Sequence, residues 1–456
     1  MLKELLNFLE DKNIVILGFG KQGKSTYKFL RKYFPEKRID IMDENFKLLE
    51  LNPELGEDIY CEVILGKLDI CLLEKYDLIV KAPGISLKDY NLENIINKIT
   101  SQYELFLKYF NVTTIGITGT KGKSTTSSLI NRVLLENDKK SLLLENIGVP
   151  IFDDIEEIDE ETIAVLEVSS HTLEFAKASP NISIMLNAYE EHLDHYKSFE
   201  DYVKAKFNIA KFQNENDCFI YNYDNENMKK INYDYKNSDI PVSIEDVENL
   251  KKSNHKNIIY IENEHIYYND EKILNIKQEM YLKGMHNINN IMFVIGVAKI
   301  LNLDIEKTIN AICSFHPLEH RLEFVSKIDG VEYYNDSIAT VPEATINGIR
   351  ALKNVNTIII GGKDRGVSMD ELIEFLKNSE VENIICIHTT GKKLYEALEN
   401  SAKNVFYYDE LKDAVDKAKE VTKKEAICLL TPAATSYGFF KNFEERGRLF
   451  KKYVLE

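Results

Sequence analysis

Short apolar runs recur along this chain, and most of them end in a polar or glycine-rich cluster. The first region carries three such runs, at residues 13–17, 38–42 and 76–80. A glycine-rich turn and a helical stretch that extends to Arg31 follow the first run. Strand, turn, helix and strand in this order are typical of a right-handed βαβ unit in a parallel sheet. The pattern therefore predicts a Rossmann-like fold for the first region.

Two more α/β blocks follow, separated by a polar segment. The second block has apolar runs at residues 111–116, 140–144, 162–166 and 182–186, and the third has them at residues 330–335, 356–360, 383–387 and 426–430. Residues 222–278 are rich in Asn, Asp, Lys and Tyr, and we expect an insertion of small strands and loops there. The sequence thus predicts an α/β protein of three domains.

Composition and charge exclude several classes of partner. The chain has 456 residues and a net charge of −17, and clustered basic residues would be needed to bind nucleic acid or an anionic membrane. Its six cysteines have no CxxC spacing, so we expect free thiols in a reducing compartment. No stretch has ~18 uninterrupted apolar residues. We expect a cytoplasmic protein that binds neither nucleic acid nor membrane.

The segment Gly119-Thr-Lys-Gly-Lys-Ser-Thr125 lies between a predicted strand and a predicted helix. Its glycines let the backbone close around phosphate oxygens, and the helix N-terminus favours bound anions. Lys123 can neutralise phosphate charge, and Ser124 can offer its hydroxyl to a magnesium ion. Glu167 directly follows the run at residues 162–166, where an acidic residue commonly reaches magnesium. These features predict an ATP and magnesium site.

Two further clusters follow predicted strands. The turn Gly18-Phe-Gly20-Lys-Gln-Gly23, with Asp43 after the next strand, matches the dinucleotide-binding pattern, although a tight turn without a ligand remains the alternative. His192, Asp194 and His195 follow the run at residues 182–186, and their density favours a metal or phosphate site over a solvated charged segment.

In the third block, polar or glycine-rich loops follow three strands, at residues 335–340, 361–366 and 431–436. Because the carboxyl ends of parallel strands meet at one edge of a sheet, these loops are predicted to line one crevice.

Together, these stretches resemble the Mur ligase family, the ATP-dependent amide-forming enzymes of peptidoglycan assembly. The motifs are Gly18–Gly23, Ala82–Gly84, Gly119–Thr125, Glu145–Gly148, Glu167–Ser170, His192–Asp194, Asn335–Ser337, Gly361–Gly366 and Lys441–Gly447. They occur in the family's order along essentially the whole chain, and they are most similar to the enzymes that add D-glutamate to UDP-N-acetylmuramoyl-L-alanine. The resemblance implies a Rossmann-like UDP-substrate domain at 1–108, a central P-loop-type ATPase at 109–316 and a Rossmann-like C-terminal domain at 317–456.

The resemblance also implies site residues. The ATP-binding residues would be Gly119, Thr120, Gly122, Lys123, Ser124, Thr125, Asn287, Arg321 and Asp336. UDP-N-acetylmuramoyl-L-alanine and D-glutamate would contact Gly18, Gly20, Gly23, Asp43, Pro83, Gly84, Asn146, Ser169, Thr340, Arg365, Ser436 and Phe443. Lys123, His192 and Lys206 would be catalytic, and two magnesium ions would be bound by Ser124, Glu167, His192 and a carbamylated Lys206. Lys204 competes with Lys206 for this last role.

The chain departs from the family pattern near the amino-acid pocket, where Ile338 and Val341 replace a lysine and an asparagine. A related ligase that adds a different amino acid is therefore the main alternative, whereas a folate-extending ligase is disfavoured by Asn335-Asp-Ser337. A NAD-dependent oxidoreductase would leave the phosphate loop unexplained. A regulatory ATP-binding protein would be expected to lack Glu167, His192 or Lys123. We expect a monomeric enzyme.

Overall fold

The computed structural model describes residues 1–145, 149–191, 195–229, 238–316, 319–364 and 367–456. Two compact units are present, one formed by Met1–Glu279 with Asn289–Cys313 and the other by Met280–Ile288 with Ser314–Glu456. Two sheets lie in the first unit and one in the second. The predicted α/β class with three sheets is confirmed, while the predicted domain boundaries stay a prediction. No helix in the described part of the chain is both long and apolar enough to span a membrane.

The first sheet is parallel and follows the predicted βαβ pattern. Its region contains α1 (Leu2–Glu10), β1 (Ile14–Leu17), α2 (Lys21–Tyr33), β2 (Ile39–Asp43), α3 (Leu48–Leu51), α4 (Glu54–Glu57), β3 (Val63–Leu65), α5 (Ile70–Leu73), β4 (Leu78–Lys81), β5 (Ile99–Thr100) and α6 (Gln102–Tyr109). The strand order is β3-β2-β1-β4-β5, with every neighbouring pair parallel. The order reverses between β1 and β4, so the loops after these strands diverge and leave a crevice.

The second sheet carries the phosphate loop. Its elements are β6 (Thr113–Thr118), α7 (Lys123–Glu136), β7 (Ser141–Leu144), β8 (Ile163–Glu167), α8 (Ser170–Leu173), β9 (Ile182–Met185), α9 (Phe199–Lys211), β10 (Cys218–Asn222), α10 (Glu226–Lys229), β11 (Ser238–Ser243), α11 (Val247–Lys252), β12 (Ile259–Glu262), β13 (His265–Tyr268), β14 (Glu271–Asn275), α12 (Met285–Ile300) and α13 (Ile305–Ser314). The order is β14-β13-β12-β11-β10-β9-β6-β8-β7. The strands from β7 to β12 pair in parallel, and β12, β13 and β14 form an antiparallel meander.

Residues 222–278 do contain small strands, but they are not a separate insertion. β11 to β14 continue the second sheet at the edge of β10. Ile240, Val242, Ile259 and Ile266 are fully or almost fully buried along them. These side chains hold the strands on the core, so the polar composition of the segment reflects its solvent-facing positions.

The third sheet forms the second unit. Its elements are β15 (Glu323–Ile328), β16 (Val331–Asn335), α14 (Pro342–Ala351), β17 (Val355–Gly361), α15 (Asp370–Asn378), β18 (Asn383–Ile387), α16 (His388–Leu398), β19 (Asn404–Tyr408), α17 (Leu411–Val421), β20 (Ile427–Leu430) and α18 (Phe443–Leu455). The order is β15-β16-β20-β17-β18-β19, parallel except for the β15–β16 pair. Ile358 and Ile360 belong to one hydrophobic cluster and Ile359 to another, so both faces of the sheet are covered.

One hydrophobic core joins the two sheets of the first unit. Phe29 of α2 packs against Phe152, with ring centroids 4.4 Å apart. Both rings belong to a cluster that also contains Phe106 of α6 and Leu166 of β8. Because apolar contacts continue from one sheet to the next, the turn after β1 and the loop after β6 are held in a fixed relation.

Candidate active site

The phosphate loop has the shape that its glycines predict. Gly122 caps α7 with a φ of 90°, in the left-handed region that favours glycine. An added Cβ there would lie 2.7 Å from Asn290 Oδ1, and one at Gly119 would lie 2.9 Å from Leu186 Cβ. Thr120 is tied to α9, with its Oγ1 2.8 Å from the Tyr202 hydroxyl. The loop thus forms a cradle at a helix N-terminus, a geometry suited to phosphate.

Two lysines converge on this loop. Lys123 Nζ donates to Gly119 O at 2.9 Å, and Lys206 Nζ from α9 donates to the same carbonyl at 3.0 Å. Lys206 is only 2% exposed. Burial holds the pKa of Lys206 well below its ordinary value, and the nearby charge of Lys123 lowers the pKa further. The competing Lys204 is exposed on the same helix and forms an ion pair with Glu200 at 2.6 Å.

Ser124 and Glu167 are brought together as predicted from their positions after β6 and β8. Ser124 Oγ donates to Glu167 Oε1 at 2.9 Å. Thr125 is buried in the first turn of α7 behind them. A hydroxyl and a carboxylate at adjoining strand ends are oxygen donors of the kind that magnesium prefers, so this pair fits a magnesium ion.

The glycine turn after β1 faces the same cavity as the phosphate loop. Gly18 has a φ of 88°, and an added Cβ at Gly23 would lie 2.1 Å from Gly18 O, so helix α2 packs directly against the turn. Asp43 Oδ2 accepts the Phe19 N–H at 2.7 Å and fixes the turn from β2. The dinucleotide-binding pattern therefore forms a βα turn, and Asp43 accepts a hydrogen bond from the backbone of that turn.

The cavity joins the predicted substrate and ATP residues within the first unit. Its volume is about 490 Å³, and it is lined by Gly18, Gly20, Lys21, Gln22, Asp43, Ala82, Pro83, Gly84, Ile85, Lys123, Glu145, Glu167, Ser169 and Thr172. Ser169 Oγ caps α8 by accepting the Thr172 N–H at 3.1 Å. The glycine turn after β1 and Lys123 of the phosphate loop thus border one space.

No role was predicted from the sequence for Glu145, and the grouping of Lys81, Glu174 and His195 was not predicted. Glu145, directly after β7, is buried, and desolvation raises its pKa to about 7. Its position at a strand end is the same signal that identified Glu167. Lys81 Nζ, at the end of β4, lies 3.7 Å from Glu174 Oε2, which in turn lies 3.0 Å from His195 Nε2. No sequence spacing predicts this buried charged group, because its members come from distant segments.

The second unit brings the three predicted polar loops together. The Gly361 N–H donates to Pro432 O at 2.8 Å, and the Lys363 N–H donates to Thr435 O at 2.8 Å. Asp336 is buried with a pKa raised by desolvation to about 7, and its Oδ1 accepts the Leu322 N–H at 3.1 Å. The three loops therefore lie side by side at one edge of the sheet, and the crevice between them stays a prediction.

Arg446 of α18 joins these loops, although no role was predicted for it. Its side chain is completely buried and donates to Ser337 O at 2.8 Å, Ser337 Oγ at 3.0 Å and Ala434 O at 3.0 Å. Desolvation lowers its pKa to about 9.

The other predicted residues of the second unit lie on its loops and helices. Ser436 is buried, and Phe443 begins α18, where its carbonyl accepts the Ser337 hydroxyl at 2.8 Å. Thr340 lies just before α14. Arg321 lies before β15, and Asn287 Nδ2 in α12 donates to Lys283 O at 2.8 Å. Asn146, His192 and Arg365 lie outside the described residues.

Comparison with protein families decides the class. Sequence models match over three consecutive regions: the Mur ligase MurD-like N-terminal domain over residues 12–101, the Mur ligase middle domain over 117–298, and the Mur ligase glutamate ligase domain over 320–434. The chain belongs to the Mur ligase family. The family resemblance found from the motifs is thereby confirmed.

Relatives within the family span the whole chain. The UDP-N-acetylmuramoylalanine–D-glutamate ligase of Thermoanaerobacter sp. (strain X514) is 32% identical over 465 residues, covering 98% of this Mur ligase and 99% of the relative. The enzyme of the same name from Clostridioides difficile (strain 630) is 35% identical over 460 residues, with coverage of 98% and 99%.

Solved structures agree on the fold. The UDP-N-acetylmuramate-alanine ligase of Thermotoga maritima superimposes with a TM-score of 0.58 at 17% identity, covering 97% of this Mur ligase and 99% of that chain. The pseudomurein peptide ligase type C of Methanothermus fervidus gives a TM-score of 0.58 at 16% identity, with coverage of 98% and 99%.

Proposed function

We propose that this protein is an ATP-dependent ligase that joins D-glutamate to UDP-N-acetylmuramoyl-L-alanine and forms ADP, in peptidoglycan biosynthesis. Full-length relatives with 32% and 35% identity carry the name of this activity. The structural observation that carries the proposal is the cavity in which the turn after β1 and the phosphate loop face each other. Such a cavity can hold a nucleotide-sugar and the terminal phosphate of ATP together.

In the proposed reaction, the substrate carboxylate attacks the γ-phosphate of ATP, which releases ADP and leaves an acyl phosphate. The amine of D-glutamate then attacks that carbonyl, and phosphate leaves as the amide forms. Negative charge develops first on the transferred phosphoryl group and then on a tetrahedral oxyanion, so fixed cations and N–H groups are the main catalytic device.

The nucleotide-sugar would lie on the first sheet. Gly18, Gly20 and Gly23 would receive the diphosphate, with Asp43 near the uracil, while Pro83, Gly84, Asn146 and Ser169 would contact the rest of the substrate. Gly20 and Gly84 support this placement, since an added Cβ at either would meet open space and their backbones face the cavity.

ATP would lie on the phosphate loop, with Gly119, Thr120, Gly122, Lys123, Ser124 and Thr125 around its phosphates and with Asn287, Arg321 and Asp336 on the nucleoside. Lys123 would exchange its hydrogen bond to the Gly119 carbonyl for a phosphate oxygen. Two magnesium ions, held by Ser124 and Glu167 and by His192 and Lys206, would draw charge from the γ-phosphate when bound.

Lys206 fits the role of a carbamylated lysine better than Lys204 does. Its lowered pKa favours the neutral amine, and only a neutral amine can add to carbon dioxide. Addition forms the N–C bond and releases one proton, which converts a buried amine into a carboxylate-like metal ligand. Lys204, exposed and paired with Glu200, lacks this environment.

The loops of the second unit would hold D-glutamate. Thr340, Ser436 and Phe443 would surround it, and Arg365 would bind its side-chain carboxylate as a bidentate donor. Ile338 and Val341 bring apolar side chains to this region. A ligase that adds a different amino acid is therefore the alternative, and the choice of amino acid in the assay must distinguish it from a D-glutamate ligase. A monomer remains the expected state.

The test measures phosphate release from ATP by the purified protein. We expect release only when UDP-N-acetylmuramoyl-L-alanine and D-glutamate are both present, and much slower release with L-glutamate, D-aspartate or L-lysine. A Lys123→Ala variant serves as the inactive control. Equal turnover without the nucleotide-sugar would overturn the proposal. Faster turnover with another amino acid would show that this amino acid, and not D-glutamate, is the substrate.

A further inference from the structure

Glu145 links the two sheets of the first unit at the wall of the cavity. Its Oε1 accepts from Gln22 Nε2 at 2.9 Å and from Thr172 Oγ1 at 2.9 Å. Gln22 lies in the first turn of α2, just behind the glycine turn, whereas Thr172 lies in α8, just beyond Glu167. One carboxyl group therefore connects the start of the helix behind the substrate turn to the segment behind the magnesium ligand.

The backbone of Glu145 is held in an uncommon conformation. Its φ is 55°, in the left-handed region that residues with a Cβ rarely adopt. Such a conformation costs of order 1–3 kcal/mol and persists only where the surroundings over-determine it. The hydrogen bonds of the buried side chain are the interactions that hold it, since a hydrogen bond to a buried carboxyl group is expensive to leave unmade.

The same helix start is held from its other side by Gln102 of α6. Gln102 Nε2 donates to Gln22 O at 3.1 Å and to Thr26 Oγ1 at 2.8 Å, and its Oε1 accepts the Phe152 N–H at 3.1 Å. Gln22 is thus fixed through both its side chain and its carbonyl. Of these two contacts, only the one to Glu145 borders the cavity.

We propose that Glu145 is a positioning residue for the nucleotide-sugar: through Gln22 it sets the distance between the glycine turn and the phosphate loop. This role rests on the proposed function, in which the diphosphate lies on that turn while the acyl carboxylate must reach the γ-phosphate of ATP. A displacement of about 1 Å between the two turns is enough to weaken such a reaction strongly.

Near neutral pH an amide is a close substitute for this carboxyl group. Burial raises the pKa of Glu145 to about 7, so its neutral form is well populated there. Within the described residues, Glu145 Oε2 meets no hydrogen-bond donor. A glutamine keeps the accepting oxygen and places its amide where the protonated oxygen stood. Glu145→Gln is therefore the conservative variant, and Glu145→Ala is the disruptive one.

The experiment compares steady-state kinetics of the wild type, Glu145→Ala, Glu145→Gln, Gln22→Ala and the double variant Glu145→Ala/Gln22→Ala. We expect Gln22→Ala, which loses the hydrogen bond to Glu145, to raise the KM for UDP-N-acetylmuramoyl-L-alanine about tenfold, and Glu145→Ala, which also loses the bond to Thr172, to raise it at least as much, while the KM for ATP stays within about twofold. Glu145→Gln should stay within about threefold of the wild type. The double variant should be no worse than Glu145→Ala alone, because that variant has already removed the contact between Glu145 and Gln22.

Glu156→Ala is the matched control, since Glu156 also joins α2 to the second sheet's region, through Lys32 and Tyr33, at the far end of the helix. Its KM values should equal those of the wild type. Additive effects of Glu145→Ala and Gln22→Ala, or an equal rise in the KM for ATP, would overturn the positioning role. If Glu145→Ala does not fold, Gln22→Ala alone decides: a KM for the nucleotide-sugar raised about tenfold with an unchanged KM for ATP supports the positioning role, and an unchanged KM for the nucleotide-sugar contradicts it.

Failure of the proposed function is recognised separately. A wild type that releases no phosphate overturns that function whatever the variants do. The positioning role is then decided by calorimetric binding of UDP-N-acetylmuramoyl-L-alanine to the wild type, Gln22→Ala and Glu156→Ala. Binding weakened only by Gln22→Ala supports it, and equal or absent binding contradicts it.

Discussion

Two buried lysines in the first unit differ in one respect, the charge that faces them. Lys81 ends β4 beside the turn at Ala82–Gly84, and its Nζ lies 3.7 Å from Glu174 Oε2. Lys206 lies on α9 beneath the phosphate loop and donates to a backbone carbonyl. No carboxylate of the described residues forms an ion pair with Lys206. Both side chains are almost fully removed from solvent.

The difference shows that burial alone does not decide whether a lysine is charged. Desolvation lowers the pKa of both, but Glu174 opposes it at Lys81 and leaves a pKa of about 8, so Lys81 is mostly a cation at neutral pH. At Lys206 the ammonium of Lys123 acts in the same direction as desolvation and outweighs the opposing charge of Glu191, so the pKa lies well below its ordinary value. The carboxylate beside Lys81 thus favours its cation, whereas the surroundings of Lys206 favour a neutral amine.

The largest expected effect comes from Lys206. Lys206→Ala should lower kcat by about 10²-fold or more, because a metal-binding carboxylate would be lost. Bicarbonate or a short carboxylic acid, added to the ligase assay, should restore part of the rate. Lys206→Arg keeps a positive charge but cannot form a carbamate, and it should be as inactive as Lys206→Ala. An active Lys206→Arg would show that Lys206 acts as a cation, as Lys81 does.

A smaller effect, on stability, is expected at Lys81. Its folded-state pKa of about 8 lies below the ordinary value of 10.5, so the unfolded chain binds a proton that the folded chain has released. The free energy of unfolding of the wild type should therefore rise, relative to that of Lys81→Met, as the pH increases from about 8 to 10.5. The rise over the whole interval should be about 3 kcal/mol. Urea unfolding of both proteins from pH 7 to pH 10 measures it. If the free energies of unfolding of the two proteins changed with pH in parallel, Lys81 would have the pKa of an exposed lysine.

The smallest effect is expected at Lys204, two residues before Lys206 on α9. It is exposed, and its ion pair with Glu200 spans one helical turn. Lys204→Ala should keep kcat and both KM values within about twofold and lower the free energy of unfolding by about 0.3–0.5 kcal/mol. A loss of activity as large as that of Lys206→Ala would transfer the proposed carbamate to Lys204.

Local patterns predicted the parts of the molecule whose geometry is local. The phosphate loop was recognisable because strand, glycines and helix start follow one another within Gly119–Thr125, and the structure places Gly122 at the helix cap. Ser124 and Glu167 were predicted to lie close together because both follow strands of one parallel sheet, whose carboxyl ends meet at the same edge. The same reasoning applies to Glu145, but its hydrogen bonds to Gln22 and Thr172 depend on packing between two sheets, which no spacing along the chain records.

The role of Arg446 and the sheet that β11 to β14 join could not be predicted for a similar reason. Arginine on a polar helix start is usually exposed. Here backbone carbonyls from three distant loops accept hydrogen bonds from the Arg446 guanidinium, in place of the water molecules that hydrate an exposed arginine. The alternating runs between residues 222 and 278 indicated strands, but an alternating run does not say which sheet edge it joins. The exposed and paired state of Lys204 likewise depends on its neighbours on α9.

The continuous core between the first two sheets has a consequence for how such ligases are recombined. Cutting the chain at the predicted boundary after residue 108 would separate Phe29 from Phe152 and Gln102 from the Phe152 N–H. Each fragment would then expose an apolar surface that is covered in the intact chain. A chimera between two family members should therefore keep both sheets of the first unit together as one block from the same parent.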